Sequence, residues 1–181
     1  MARRGVYRRA SRWSNHITLT PPMAKFVLDT GIILGYVRAA GYAEYVEKKF
    51  GLFNPPNIPL VSVVSKGEIY SLAVQLRWGG NKLNTLEEIL RKLPLVDIND
   101  EQIIRQYAEI DAYSLSKDLA RPLPRGQTAR VMGKNDLWIA ATASVLNATL
   151  LTIDHDFDHL DDVFFSVVYV DQKLTAADGK P

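Results

Sequence analysis

The chain predicts an α/β domain with a mainly parallel sheet and helices on both faces. Two features of the pattern lead there. Short apolar runs alternate with longer segments of helical period, and several runs stop at a polar or turn residue, as buried parallel strands do. The size agrees: 181 residues, 47% hydrophobic and 23% charged, suit one domain with a substantial core.

Phe26-Val27-Leu28 is a first short strand halted by Asp29. Helical segments are expected over 31–39 and 42–50, ended by Gly51 and the Asn54-Pro55-Pro56 breaker. Ile58 to Val61 reads as a second strand. A helix from Ser62 to Arg77 follows, expected to close at Gly79-Gly80. A short helix over 85–92 leads to a third strand at Leu95-Val96. Asp100 is placed to cap a helix running to Lys117, with Ile103, Ile104, Tyr107, Ile110 and Leu115 as its apolar positions. Pro122, Pro124, Gly126 and Gly133 make 118–133 a loop. The helix Lys134–Asn147 is apolar almost all round, which predicts burial on more than one side. Thr149 to Ile153 and Phe165 to Val170 complete the strands. No repeat and no second domain is visible, so the domain is expected over 23–172, with tails at 1–22 and 173–181.

Composition removes several classes. There is no cysteine, which excludes a disulfide scaffold and a thiolate zinc site. No apolar run approaches the roughly 18–20 residues that span a bilayer, and the N-terminal region lacks a signal-peptide centre. A soluble, cytoplasmic domain is the expectation. The net charge of +2 conceals an asymmetry: residues 1–24 hold five arginines (Arg3, Arg4, Arg8, Arg9, Arg12) and no acid, leaving 17 basic against 20 acidic residues and a body of −3. The first 22 residues read as a flexible basic arm, either an RNA-gripping extension or an inert leader before Met23.

The acids fall where chemistry is expected. Asp29 ends the first strand and Asp154 the fourth, and ligands of open parallel sheets bind outside the carboxyl ends of the strands. Asp136 lies in the first turn of the apolar helix, on that same edge. Glu68 lies in the first half of the helix after the second strand and shares a face with Val64, Ser65, Ser71 and Leu72. Four converging carboxylates repel one another unless a cation sits between them. All-oxygen ligation points to Mg²⁺, with Mn²⁺ as substitute, and to hydrolysis of a phosphodiester.

Each acid alone has a plainer role. Asp29 could simply cap a helix, Asp136 could answer a helix dipole, and Asp154 competes with surface acids at 156, 158, 161 and 162. Glu68 is the hardest to explain as surface charge, because a carboxylate on an apolar face needs a partner. A calcium loop at 154–158 fails, since His159 stands where glycine is needed and Phe165 where glutamate is needed. His155 and His159 form no zinc motif and read as surface or capping residues, and no phosphate-binding glycine loop is present. A haloacid-dehalogenase-type phosphatase needs a second Asp two residues after Asp29, where this chain has Gly31.

The chain resembles a PIN domain, in particular a VapC-type toxin ribonuclease. The likeness rests on Phe-Val-Leu-Asp-Thr at 26–30, Ser-Lys-Gly-Glu at 65–68, Gly-Lys-Asn-Asp-Leu-Trp-Ile-Ala-Ala-Thr-Ala at 133–143 and Leu-Thr-Ile-Asp-His-Asp-Phe at 151–157. It implies a three-layer α/β/α sandwich and a Mg²⁺- or Mn²⁺-dependent endoribonuclease whose acidic quartet is Asp29, Glu68, Asp136 and Asp154. Asp29 and Asp136 would hold the primary metal, and Glu68 and Asp154 would complete the site or recruit a second ion. Thr30, Asn135, Thr152 and Asp156 would stand beside the carboxylates. Gly31 replaces the Asn or Ser usual after Asp-Thr. The resemblance further implies a homodimer and a small antitoxin protein that inserts a side chain into the acidic site. RNA is the expected substrate, with Arg121, Arg125, Arg130 and Lys134 as candidate contacts or else as a solvated loop. A catalytically inactive binding module that keeps the fold is the alternative.

Overall fold

The computed structural model describes residues 23–179, so the basic arm at 1–22 lies outside the described residues. Five parallel strands form the sheet: β1 (Lys25–Leu28), β2 (Ile58–Ser62), β3 (Leu95–Val96), β4 (Thr149–Thr152) and β5 (Val167–Tyr169), in the order β3-β2-β1-β4-β5. The chain winds outward from β1 to β3, then returns to the other side of β1 for β4. The switch point therefore falls between β1 and β4, where ligands of such sheets bind.

Alternation along the strands assigns the layers. Phe26, Leu28, Val61 and Leu151 face one core, filled by α1 (Thr30–Val37), α2 (Gly41–Phe50), α3 (Val63–Gln75) and α4 (Gly80–Leu90). Val27, Leu60 and Leu150 face the other, filled by α5 (Glu101–Ser114) and α6 (Lys134–Val145). This is the expected three-layer sandwich. Within α6, Ile139, Ala140, Ala141 and Ala143 are fully buried, and their small side chains let the helix pack on both α5 and the sheet. Asp100 caps α5 by accepting a hydrogen bond from Gln102 N at 2.7 Å.

Two expectations need correction. Gly79 and Gly80 do not close α3. That helix ends at Gln75, and Arg77 takes the left-handed turn (φ 50°), with Trp78 N donating to Ala73 O at 2.9 Å. Gly79 is instead the N-cap of α4, which begins five residues before the expected 85. Burial of Trp78, Leu86 and Leu90 in the core draws the segment into a helix that glycine propensity argues against. His159 is likewise not at the surface. It belongs to a 3-10 turn, His155–Leu160, and is buried with its Nε2 2.8 Å from Ser114 Oγ and its ring stacked on Tyr113. After residue 172, Leu174 packs on the first core, and Lys48 Nζ donates to Ala176 O at 2.9 Å. No helix among the described residues is long and apolar enough to cross a membrane.

Candidate active site

The carboxyl ends of β1 and β4 bring Asp29 and Thr152 together. Asp29 follows β1, extends its ladder through Asp29 N to Leu151 O (3.0 Å) and caps α1. Its Oδ1 accepts from Thr30 N at 2.6 Å, and its Oδ2 accepts the Thr152 hydroxyl at 2.8 Å. Thr152 Oγ1 in turn accepts from Asp154 N at 3.0 Å, which ties the start of the next turn to Asp29. Asp154 caps that turn by accepting from Asp156 N at 2.9 Å.

Glu68 is held from two sides. Thr30 Oγ1 donates to Oε2 at 2.5 Å, and Asn135 Nδ2 donates to Oε1 at 2.7 Å. The first bond joins α1 to α3, and the second joins α3 to the N-terminus of α6. Asp136 sits beside Asn135 in the first turn of α6, half-buried.

Electrostatics show that the acids share one space. Burial pushes the Asp29 carboxyl up to about 6, against hydrogen bonds from Thr152 and Thr30 that lower it, and the charges of Glu68 and Asp154 raise it further. Asp136 is pushed up to about 6 by burial first, then by Asp29, Glu68, Asp154 and Asp156. A divalent cation would relieve this repulsion, and the oxygen-only donor set suits Mg²⁺ or Mn²⁺. As placed among the described residues, no three acidic or histidine side chains close around a single point as a finished metal cage. Both oxygens of Glu68 and both of Asp29 accept hydrogen bonds, whereas Asp136 accepts none from a side chain or cap among the described residues.

A raised carboxyl pKa makes folding pH-dependent. Asp29 is neutral in both states below its unfolded value of 3.8, and stability is lost as pH rises from there to about 6, above which both states are ionised and the penalty is complete. Metal-free protein should therefore gain stability as pH falls from 7 towards 5, by about 1 kcal/mol from Asp29 alone. Urea denaturation in chelator at the two pH values measures it. Asp29→Asn should flatten the response, and an equally steep response in that variant would assign the effect elsewhere.

Two glycines shape the site, and sequence reasoning missed what they do. Gly133 is the N-cap of α6, and a Cβ there would lie 2.6 Å from Asp136 Oδ2. Glycine leaves the Asp136 carboxylate its room, and its place directly before the first helical residue was the available signal. At Gly31 a Cβ would meet Ile153 Cγ1 at 2.5 Å. The space a side chain at position 31 would need is filled by Ile153.

The candidate cations separate. Arg121 donates to Glu109 Oε2 at 2.8 Å and Asp118 Oδ2 at 3.0 Å, and its guanidinium lies 4.5 Å from the centre of the Phe164 ring. Phe164 O accepts from Ser144 in the last turn of α6, so Arg121 lies towards the opposite end of that helix from Asp136. Arg125 and Lys134 are exposed and make no ion pair among the described residues. Arg130 reaches the rim, where Nη1 donates to His155 O at 3.4 Å and Asp156 O at 3.5 Å.

Comparison with known proteins agrees with this geometry. The family model described as "PIN domain" matches residues 26–163. No curated protein matches significantly in sequence. Among solved structures, the fold resembles a chain of VapBC2 from Rickettsia felis bound to a DNA fragment from their promoter. That likeness has a TM-score of 0.61 at 21% identity, covering 81% of this chain and 99% of that one. VapBC-1 from nontypeable Haemophilus influenzae is similar with a TM-score of 0.59 and 24% identity over 80% and 97% of the two chains. VapBC-5 from Mycobacterium tuberculosis, a member of the VapBC family of toxin-antitoxin systems, gives 0.53 and 24% over 81% and 99%. With its strand order, its acids at the switch point and a family match across most of its length, the chain belongs to the PIN domain family.

Proposed function

We propose that the protein is a metal-dependent endoribonuclease that hydrolyses RNA phosphodiester bonds, and that it acts as the toxin of a toxin–antitoxin pair. The observation that carries this reading is the gathering of four carboxylates on one rim, where Asp29 and Asp136 are raised to about 6 by burial first and by their acidic neighbours second. Asp29 and Asp136 would hold Mg²⁺ or Mn²⁺, with Asp154 and Glu68 completing the site. When bound, the ion would polarise a phosphate oxygen and lower the pKa of a water molecule. The protein's own part is positioning. Thr30 and Thr152 fix the Asp29 carboxylate, while Thr30 and Asn135 hold Glu68 with both oxygens oriented, where it can accept a proton from attacking water.

The structural relatives are toxin–antitoxin complexes, which supports a small protein partner for this chain. A lysine or arginine from that partner would satisfy the acidic rim and compete with metal for it. A homodimer belongs to the same proposal.

The test is cleavage of labelled total RNA by purified protein in Mg²⁺, Mn²⁺ or EDTA, with Asp136→Asn as control. Cleavage should require metal and vanish in the variant. Activity that survives EDTA, or that Asp136→Asn retains in full, would overturn the assignment.

A further inference from the structure

Beside the four acids the rim carries an exposed aromatic pair. Tyr169, the last residue of β5, pairs in register with Thr152 on β4. His155 directly follows Asp154 and opens the 3-10 turn. The two rings stack with centroids 3.8 Å apart and planes 17° apart. Asp158 Oδ2 lies 2.7 Å from His155 Nδ1 and, as a carboxylate, can only accept, so Nδ1 carries the proton and the ring is held in one orientation.

Most aromatic contacts in this fold serve the core, but this one is open. The His155 side chain is 65% exposed although Tyr169 covers one of its faces, so the opposite face is turned to solvent, and Tyr169 is itself 39% exposed. The pair is ordered in advance, so a planar ligand would cost little side-chain freedom there. Arg130 lies against the carbonyls of the same turn and brings a guanidinium to the edge of the platform. Asp158 lies on the ring's Nδ1 and Asp154 and Asp156 flank His155 in the chain, charges that disfavour a phosphate directly on the ring. What the surface can take is the neutral π-face of a base, with the phosphate passed to Arg130 and the acidic site.

We infer that the His155–Tyr169 stack is a platform for an unpaired base of the substrate, set next to the scissile phosphate, and that it selects single-stranded RNA. The inference rests on the ribonuclease reading and deepens it. Bases within a duplex present no free face, whereas splayed bases stack on aromatic and histidine rings.

The experiment uses the full chain carrying Asp29→Asn, so that RNA is bound but not cut. The probe is a short single-stranded oligoribonucleotide containing a fluorescent purine analogue that stacking quenches. Binding should quench the analogue, and the same strand annealed into a duplex should show no such quenching. His155→Ala and Tyr169→Ala should each weaken binding by about tenfold and restore the emission. His155→Phe should keep most of both. In the chain with Asp29 intact, the two alanine variants should raise KM far more than they lower kcat, with unchanged melting temperatures. RNA that binds the alanine variants as it binds their parent would overturn the platform alone and return the surface to a protein partner. A folded parent that binds no RNA would overturn the platform and the ribonuclease reading together.

Discussion

Asp29→Asn should abolish cleavage, by at least about a thousandfold, and at the same time make the metal-free protein more stable. The two effects have one cause. The carboxylate is 7% exposed, and its ionisation is opposed first by burial and then by Glu68 and Asp154. Asparagine keeps an oxygen to accept from Thr30 N, so the cap of α1 survives while the buried charge disappears. Removing a penalty of about 3 kcal/mol should raise the melting temperature in chelator at pH 7 by roughly 6–12 °C. Mg²⁺ should then stabilise the wild-type protein and leave the variant unmoved. A variant that is inactive and less stable would mean that Asp29 is chiefly a structural cap. One that cleaves at the wild-type rate would mean that the metal lies elsewhere.

Gly133→Ala is the second large effect, and it separates placement from composition because every carboxylate remains. The backbone at Gly133 (φ −60°, ψ 142°) is one that alanine adopts freely, so the fold should persist. The new methyl group would stand 2.6 Å from Asp136 Oδ2, and the carboxylate must swing away to admit it. A misplacement of about 1 Å at a reacting centre costs up to roughly a hundredfold, so kcat/KM should fall by between about tenfold and a hundredfold. Higher Mg²⁺ should recover part of the loss, because a displaced ligand weakens the metal site before it removes it. Kinetics across a magnesium titration, beside a thermal melt, test this. Wild-type activity at low magnesium would show that Asp136 does not bind the ion in the orientation seen.

Strand positions were readable because a strand buried on both faces is a local apolar run; Asp29 is the first polar residue after β1, and Asp154 stands two residues beyond the end of β4. The helix boundaries at Gln75 and Gly80 were not readable in the same way. They depend on Trp78 reaching the core, and that contact outweighs the helix-breaking preference of two adjacent glycines.

The candidate site divides along the same line. That Asp29, Glu68, Asp136 and Asp154 meet at one edge follows from element order and the handedness of parallel crossovers, both present in the linear pattern. What orients them does not. Thr30 and Glu68 are separated by 38 positions, Asn135 and Glu68 by 67, and Thr152 and Asp29 by 123. Arg121 is drawn into ion pairs with Glu109 and Asp118, Ile153 fills the space over Gly31, and His159 turns inward to Ser114. Periodicity records which face of an element is apolar and where the chain must turn. The partner each polar side chain finds is set by how separately encoded elements pack, and no local stretch of sequence carries that information.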